Sequence, residues 1–128
     1  MKILLDTCAF LWIISGSEKI SAKARNVFAD PDNEVFFSSV SAWEIAVKQS
    51  IGRIESAGEL SRIVPEYREL HGIQPLPLDE ESVFYLSRLP AIHNDPFDRM
   101  LVCQALAKGL VILTPDKKIA GYPARVVW

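Results

Sequence analysis

Apolar and polar positions follow two rhythms along this chain, and the change from one to the other marks out its elements. Lys2 to Asp6 opens with a short run of Ile and Leu, as a strand buried on both faces would, and ends on an acid. Thr7 to about Ser15 then reads as a helix stopped by Gly16, and Ile20, Ala24, Val27 and Phe28 recur at helical spacing on the next segment. The turn Asp30-Pro31-Asp32-Asn33 leads into a second strand, Glu34 to Ser38. A third helix is predicted from Ser41 to about Ile51, and a fourth from Leu60 to Leu70, where Leu60, Ile63, Val64 and Tyr67 share a face before Gly72. Ile73 to Leu78 carries two prolines, which restricts it to an edge strand or an extended connector. Asp79 is placed to cap a helix reaching about Leu86. After a proline-bearing loop from Leu89 to Phe97, a helix from about Asp98 to Lys108, a strand at Leu110 to Leu113 and a last strand at Arg125 to Trp128 complete the pattern.

Strands alternating with helices predict one α/β domain over residues 1–128, with a mostly parallel central sheet flanked by helices and right-handed crossovers. The composition agrees: 49% of the residues are hydrophobic and 23% charged, which excludes a disordered or low-complexity chain. An apolar run near the start, Cys8 to Ile14, is preceded by Asp6, has no clear cleavage site behind it and is too short to span a membrane. Two cysteines, Cys8 and Cys103, both within apolar helical patterns, read as reduced core thiols, and a cytoplasmic protein is expected. The net charge of -2 removes the basic footprint by which many proteins hold nucleic acid, so a polyanionic substrate would have to be held locally, through bound cations.

The candidate chemistry lies in the acids. In an open α/β sheet the functional crevice forms beyond the carboxyl ends of the strands, where the following helices begin. Asp6 and Asp116 follow predicted strands, Asp95 and Asp98 flank the start of a predicted helix, and Glu44 falls in what reads as the first turn of another. Each has a purely structural alternative. Asp6 can cap the helix after it, either Asp95 or Asp98 can cap the helix that follows them, with Asp98 better placed at its first turn, Ser41-Ala42-Trp43-Glu44 fits a capping box, and Asp116 suits a turn. Together, however, carboxylates without matching cations would repel one another unless they surround a hard divalent ion such as Mg²⁺ or Mn²⁺. His71 and His93 make no zinc spacing with each other or with the cysteines; His71 reads as a surface residue, and His93 is a loop residue close to the acids.

Four segments in order, Leu4-Leu5-Asp6-Thr7, Ser39-Val40-Ser41-Ala42-Trp43-Glu44-Ile45, His93-Asn94-Asp95-Pro96-Phe97-Asp98-Arg99-Met100-Leu101 and Leu113-Thr114-Pro115-Asp116, resemble a PIN domain. More narrowly they are similar to the VapC-type toxins of prokaryotic toxin-antitoxin pairs. The resemblance implies a Mg²⁺- or Mn²⁺-dependent endoribonuclease, with Asp6, Glu44, Asp98 and Asp116 on the positions of the family's acidic quartet, Asp6 and Asp98 as direct metal ligands, and Asp95 as an extra acid that supports the site or reaches the metal through water. It further implies Thr114 as a residue orienting the last acid or a phosphate, a cognate antitoxin lying across the site, and homodimers within a toxin-antitoxin hetero-oligomer; by adjacency to the acids, Arg99 is a candidate RNA-backbone contact, as are Lys117 and Lys118, which read equally well as plain solvated charges. The row Phe10 to Ile14 offers more apolar surface than one buried face needs, consistent with a groove for that partner. Two other outcomes stay open: an RNA-processing nuclease outside any such pair, and a catalytically silent binding module. A phosphoacceptor domain is disfavoured, because Asp6-Thr7-Cys8 lacks the second Asp of the dehalogenase motif and the paired acids of a receiver are missing.

Overall fold

The computed structural model describes residues 1–52 and 58–128. Five strands, β1 (Lys2–Leu5), β2 (Glu34–Ser38), β3 (Ile73–Leu76), β4 (Val111–Leu113) and β5 (Val126–Val127), form one sheet in the order β3-β2-β1-β4-β5. Every pairing is parallel, so the mostly parallel sheet expected from the sequence is wholly parallel. Pro75 within β3, followed by Pro77 just past it, suits a strand at the edge, where no ladder partner is needed on its far side.

Among the described residues, six helices connect the strands: α1 (Thr7–Ser15), α2 (Ala22–Ala29), α3 (Ser39–Ser50), α4 (Leu60–His71), α5 (Glu80–Phe84) and α6 (Pro96–Lys108). Short 3-10 turns follow α5 at Tyr85–Arg88 and precede β5 at Ile119–Gly121. Because side chains alternate across a strand, β1 feeds two cores at once. Ile3 and Leu5 pack with Phe10 of α1, Ala24 of α2, Ile45 of α3 and Val64 of α4, while Leu4 packs on the other face with Leu101, Val102 and Ala105 of α6. All three β1 residues are fully buried, which accounts for the unbroken apolar run.

The chain leaves β1 on one side for β2 and β3, then returns through α5 and α6 to place β4 on the other side of β1. The strand order therefore reverses between β1 and β4, and the carboxyl ends of these two strands open a crevice there. Two helix starts differ from the sequence expectation. Helix α3 begins at Ser39 rather than Ser41, because the Ser38 side chain accepts from Val40 N–H and caps it while donating to Gln104 of α6. Helix α6 begins at Pro96 rather than Asp98: proline is tolerated in the first turn, where its missing N–H is not needed, and Asp95 caps the helix from outside.

Candidate active site

The crevice is built from four chain segments. Asp6 ends β1 and caps α1, its Oδ1 accepting from Ala9 N–H at 2.6 Å. Asp95 caps α6 through Oδ1, which accepts from Phe97 and Asp98 N–H at 2.8 and 3.1 Å, and Asp98 stands in the first turn behind it. Asp116 follows β4 in a loop, where its Oδ1 accepts from Lys118 N–H at 2.8 Å. It thus precedes the 3-10 turn at Ile119–Gly121, in keeping with the turn read there from the sequence. Glu44 sits in the second turn of α3, not the first, since that helix begins two residues earlier than expected. The capping box of Ser41 and Glu44 is therefore absent, and Ser41 lies buried 3.0 Å from the Thr7 hydroxyl.

All five acids nonetheless line one open cleft of about 330 Å³, together with Thr7, Cys8 and Lys48. Hydrogen bonds tie its walls together. Thr114 donates to Asp6 Oδ2 and accepts from Asp116 N–H at 3.0 Å, linking β4 to β1. Thr7 donates to Glu44 Oε1 at 2.6 Å, and Lys48, one helical turn beyond Glu44, pairs with Oε2. Both Glu44 oxygens are thus engaged, one with a cation. His93 Nε2 lies 2.9 Å from Asp98 Oδ2 and 3.3 Å from Asp116 Oδ2, so three residues from two loops and α6 meet within 4.8 Å.

Charge within the cleft is poorly compensated. Burial pushes the Asp6 carboxyl up to about 6 despite the bonds from Thr114 and Ala9, and the charges of Asp116 and Glu44 add to the rise. Asp98 is pushed up to about 7, first by burial and then by Asp95 and Glu44, with His93 acting in the opposite sense. Pairing with Glu44 raises the Lys48 ammonium and keeps it charged. The donor set is entirely carboxylate oxygen apart from His93, and two of its acids are destabilised as anions. A hard divalent cation such as Mg²⁺ or Mn²⁺ therefore fits these residues. Cys8 does not compete for that role: it is half-buried at the cleft rather than in the core, and burial with the Asp6 charge pushes its thiol up to about 11.

Of the remaining expected site residues, Thr114 is brought to the acids. Arg99 is not: it lies outside the cleft lining, with its Nε buried and unpartnered among the described residues. Lys117 and Lys118 are exposed beside Asp116. His71 is half-buried, its ring stacked near Tyr67 and Phe28 rather than turned to solvent. Sequence reasoning missed Thr7, Ser41 and Lys48. The four-residue spacing of Glu44 and Lys48 on a helix was the available signal for the last of these.

A family model described as the PIN domain matches residues 3–124. No curated protein matches the chain in sequence. Among solved structures, the chain is similar to VapBC2 from Rickettsia felis bound to a DNA fragment from its promoter, at 13% identity and a TM-score of 0.73, covering 99% of this chain and 98% of that one. It is also similar to VapBC-1 from nontypeable Haemophilus influenzae, at 18% identity and a TM-score of 0.68 over 99% and 97% of the two chains. DNA-bound VapBC from Salmonella typhimurium is a third such structure, at 17% identity and a TM-score of 0.65 over 99% and 97%. At these identities the likeness is one of fold.

Proposed function

Since the chain belongs to the PIN-domain family, we propose that it is a metal-dependent endoribonuclease and acts as the toxin of a toxin-antitoxin pair. The observation that carries the nuclease reading is the convergence of Asp6, Glu44, Asp95, Asp98 and Asp116 on one cleft at the point where the strand order reverses. Asp6, Asp98, Asp116 and Glu44 would hold Mg²⁺ or Mn²⁺, with Asp95 fixing the start of α6 beneath Asp98. When bound, such an ion supplies Lewis acidity, making water a usable nucleophile at neutral pH and offsetting the charge that gathers on the phosphoryl oxygens.

The protein's own residues do the rest. Thr114 and Ala9 N–H fix both oxygens of Asp6, so its orientation is set before substrate arrives. Thr7 does the same for Glu44. Lys48, charged and about one-third exposed at the cleft, attracts the phosphodiester that an otherwise acidic surface would repel. Arg99 is left out of this set, because its side chain does not reach the cleft lining. Incubating the full chain with total RNA in Mg²⁺ or Mn²⁺, followed by mapping of the new RNA ends, tests the reading. Cleavage that stops on chelation is expected, and intact RNA with both metals would overturn it.

The antitoxin partner is supported by the fold shared with the VapBC complexes and by α1, whose Leu11, Trp12, Ile13 and Ile14 are only half-buried. Trp12 and Ile13 border a second cleft of about 440 Å³ with Ile20, Arg25 and Phe28, suited to an amphipathic segment carrying an acid for Arg25. Homodimers of the chain belong to the same proposal. A cognate antitoxin, sought among small proteins encoded next to this chain, is expected on co-expression to yield a stable complex and to silence cleavage.

A further inference from the structure

His93 is held more completely than a loop residue beside a metal site needs to be. Its backbone N–H donates to the Tyr122 hydroxyl at 2.7 Å, and that hydroxyl lies 3.4 Å from its own carbonyl oxygen, so a tyrosine that is 4% exposed clamps both backbone groups. The imidazole Nδ1 faces the N–H of Asp95, at 3.3 Å, and a ring nitrogen facing an N–H must accept. The ring proton therefore sits on Nε2, which hydrogen-bonds Asp116 Oδ2 at 3.3 Å and lies 2.9 Å from Asp98 Oδ2. A nitrogen that carries a proton donates; it has no lone pair for a metal.

We infer that His93 is a positioning residue, not a metal ligand: as the Nε2–H tautomer it bridges Asp98 and Asp116, drawing together two acids that come from α6 and from the loop after β4. The inference rests on reading the cleft as a metal site, and it assigns the three-residue cluster to two ligands and one orienting donor. The orientation originates in chain geometry. Asp95 caps α6 with its side chain while its N–H sets the histidine tautomer, so one residue fixes both the helix start and the direction of the bridging proton. Tyr122, just after the last 3-10 turn, anchors the assembly from the α6 side of the sheet.

Two measurements on the full chain test this. Long-range ¹H–¹⁵N NMR of the imidazole reports the tautomer directly, in the wild-type protein without metal and after Mg²⁺ addition. The Nε2–H form is expected in both. A shift of the proton to Nδ1 on Mg²⁺ addition would make Nε2 a ligand and overturn the inference. The second measurement is Mn²⁺ affinity by titration calorimetry: His93→Ala is expected to weaken it about 10- to 100-fold. His93→Gln, whose amide N–H₂ reaches the same point, is expected to recover most of that loss. Equal affinity for His93→Ala and wild type, or no recovery with Gln, would overturn the positioning role. Should His93→Ala not fold, Tyr122→Phe serves in its place, with a smaller loss expected and an unchanged affinity counting against the clamp. Wild-type protein that binds no Mn²⁺ at all would instead overturn the nuclease reading itself, with the tautomer in metal-free protein still deciding this one.

Discussion

Asp6 and Asp79 do the same local work and end in opposite electrostatic states. Each caps a helix, accepting from the N–H three residues on at 2.6 and 3.0 Å. Asp79 is open to solvent and meets Lys108, which with the Ser82 hydrogen bonds holds its carboxyl well below the usual range. Asp6 is 4% exposed, meets no cation among the described residues, and is pushed the other way. Helix capping thus cannot tell a structural acid from a functional one. What separates them is whether the fold supplies a counter-charge, and among the described residues the crevice pairs a permanent cation only with Glu44.

The largest break in this contrast comes from removing a charge on either side of it. Asp98→Asn is expected to lower metal-dependent RNA cleavage by at least about 100-fold, because a positioned ligand charge is lost where catalysis needs it. Asp79→Asn should leave cleavage unchanged and lower the melting temperature only slightly, since the amide oxygen still caps α5. Parallel rate measurements on the two variants decide the matter; similar losses in both would dissolve the distinction.

Acidity sharpens the comparison next. The Asp6 carboxyl rises from 3.8 to about 6 on folding, so the folded protein binds a proton more tightly than the unfolded chain. This contribution to stability is fully present below about pH 3.8 and is lost as pH rises through about 6, a change of about 3 kcal/mol. Asp98, raised to about 7, extends the same trend toward neutrality. Thermal melts in chelator are therefore expected to fall between pH 5 and pH 7.5, with Mg²⁺ restoring more stability at pH 7.5 than at pH 5. A flat profile would mean that the acids are compensated in solution.

The smallest effect isolates the Lys48–Glu44 ion pair in the cleft wall. Lys48→Met leaves buried Glu44 without its cation and is expected to cost about 2 kcal/mol at neutral pH, much of it recovered in Lys48→Met/Glu44→Gln. Denaturant unfolding of the two variants measures the coupling. An uncoupled pair would place Lys48 with ordinary surface charges.

Much of this was legible from the chain alone, for reasons that can be named. The β1 run is unbroken because both its faces are buried, and that burial ends where Asp6 begins α1. The acids of the crevice follow strands or open helices, which local pattern reveals. Helix α3 was misplaced by two residues because Ser38 and Ser41 are equally good caps locally. Only the tertiary bond from Ser38 to Gln104, 66 residues away, decides between them. Arg99 looked like a substrate contact by adjacency to Asp98, but successive residues of a helix face different ways. The bridge from His93 to Asp116 spans 23 residues across two loops, and no periodic signal encodes it.

The bond from Thr114 to Asp6 joins positions 108 residues apart. During synthesis, Asp6 emerges early and waits for a partner that the ribosome has yet to make. An incomplete chain therefore lacks the assembled crevice, and a polypeptide proposed to cut RNA stays harmless to the message it is being translated from until β4 has docked beside β1. Under the proposed function, the moment at which cleavage becomes possible follows from strand order.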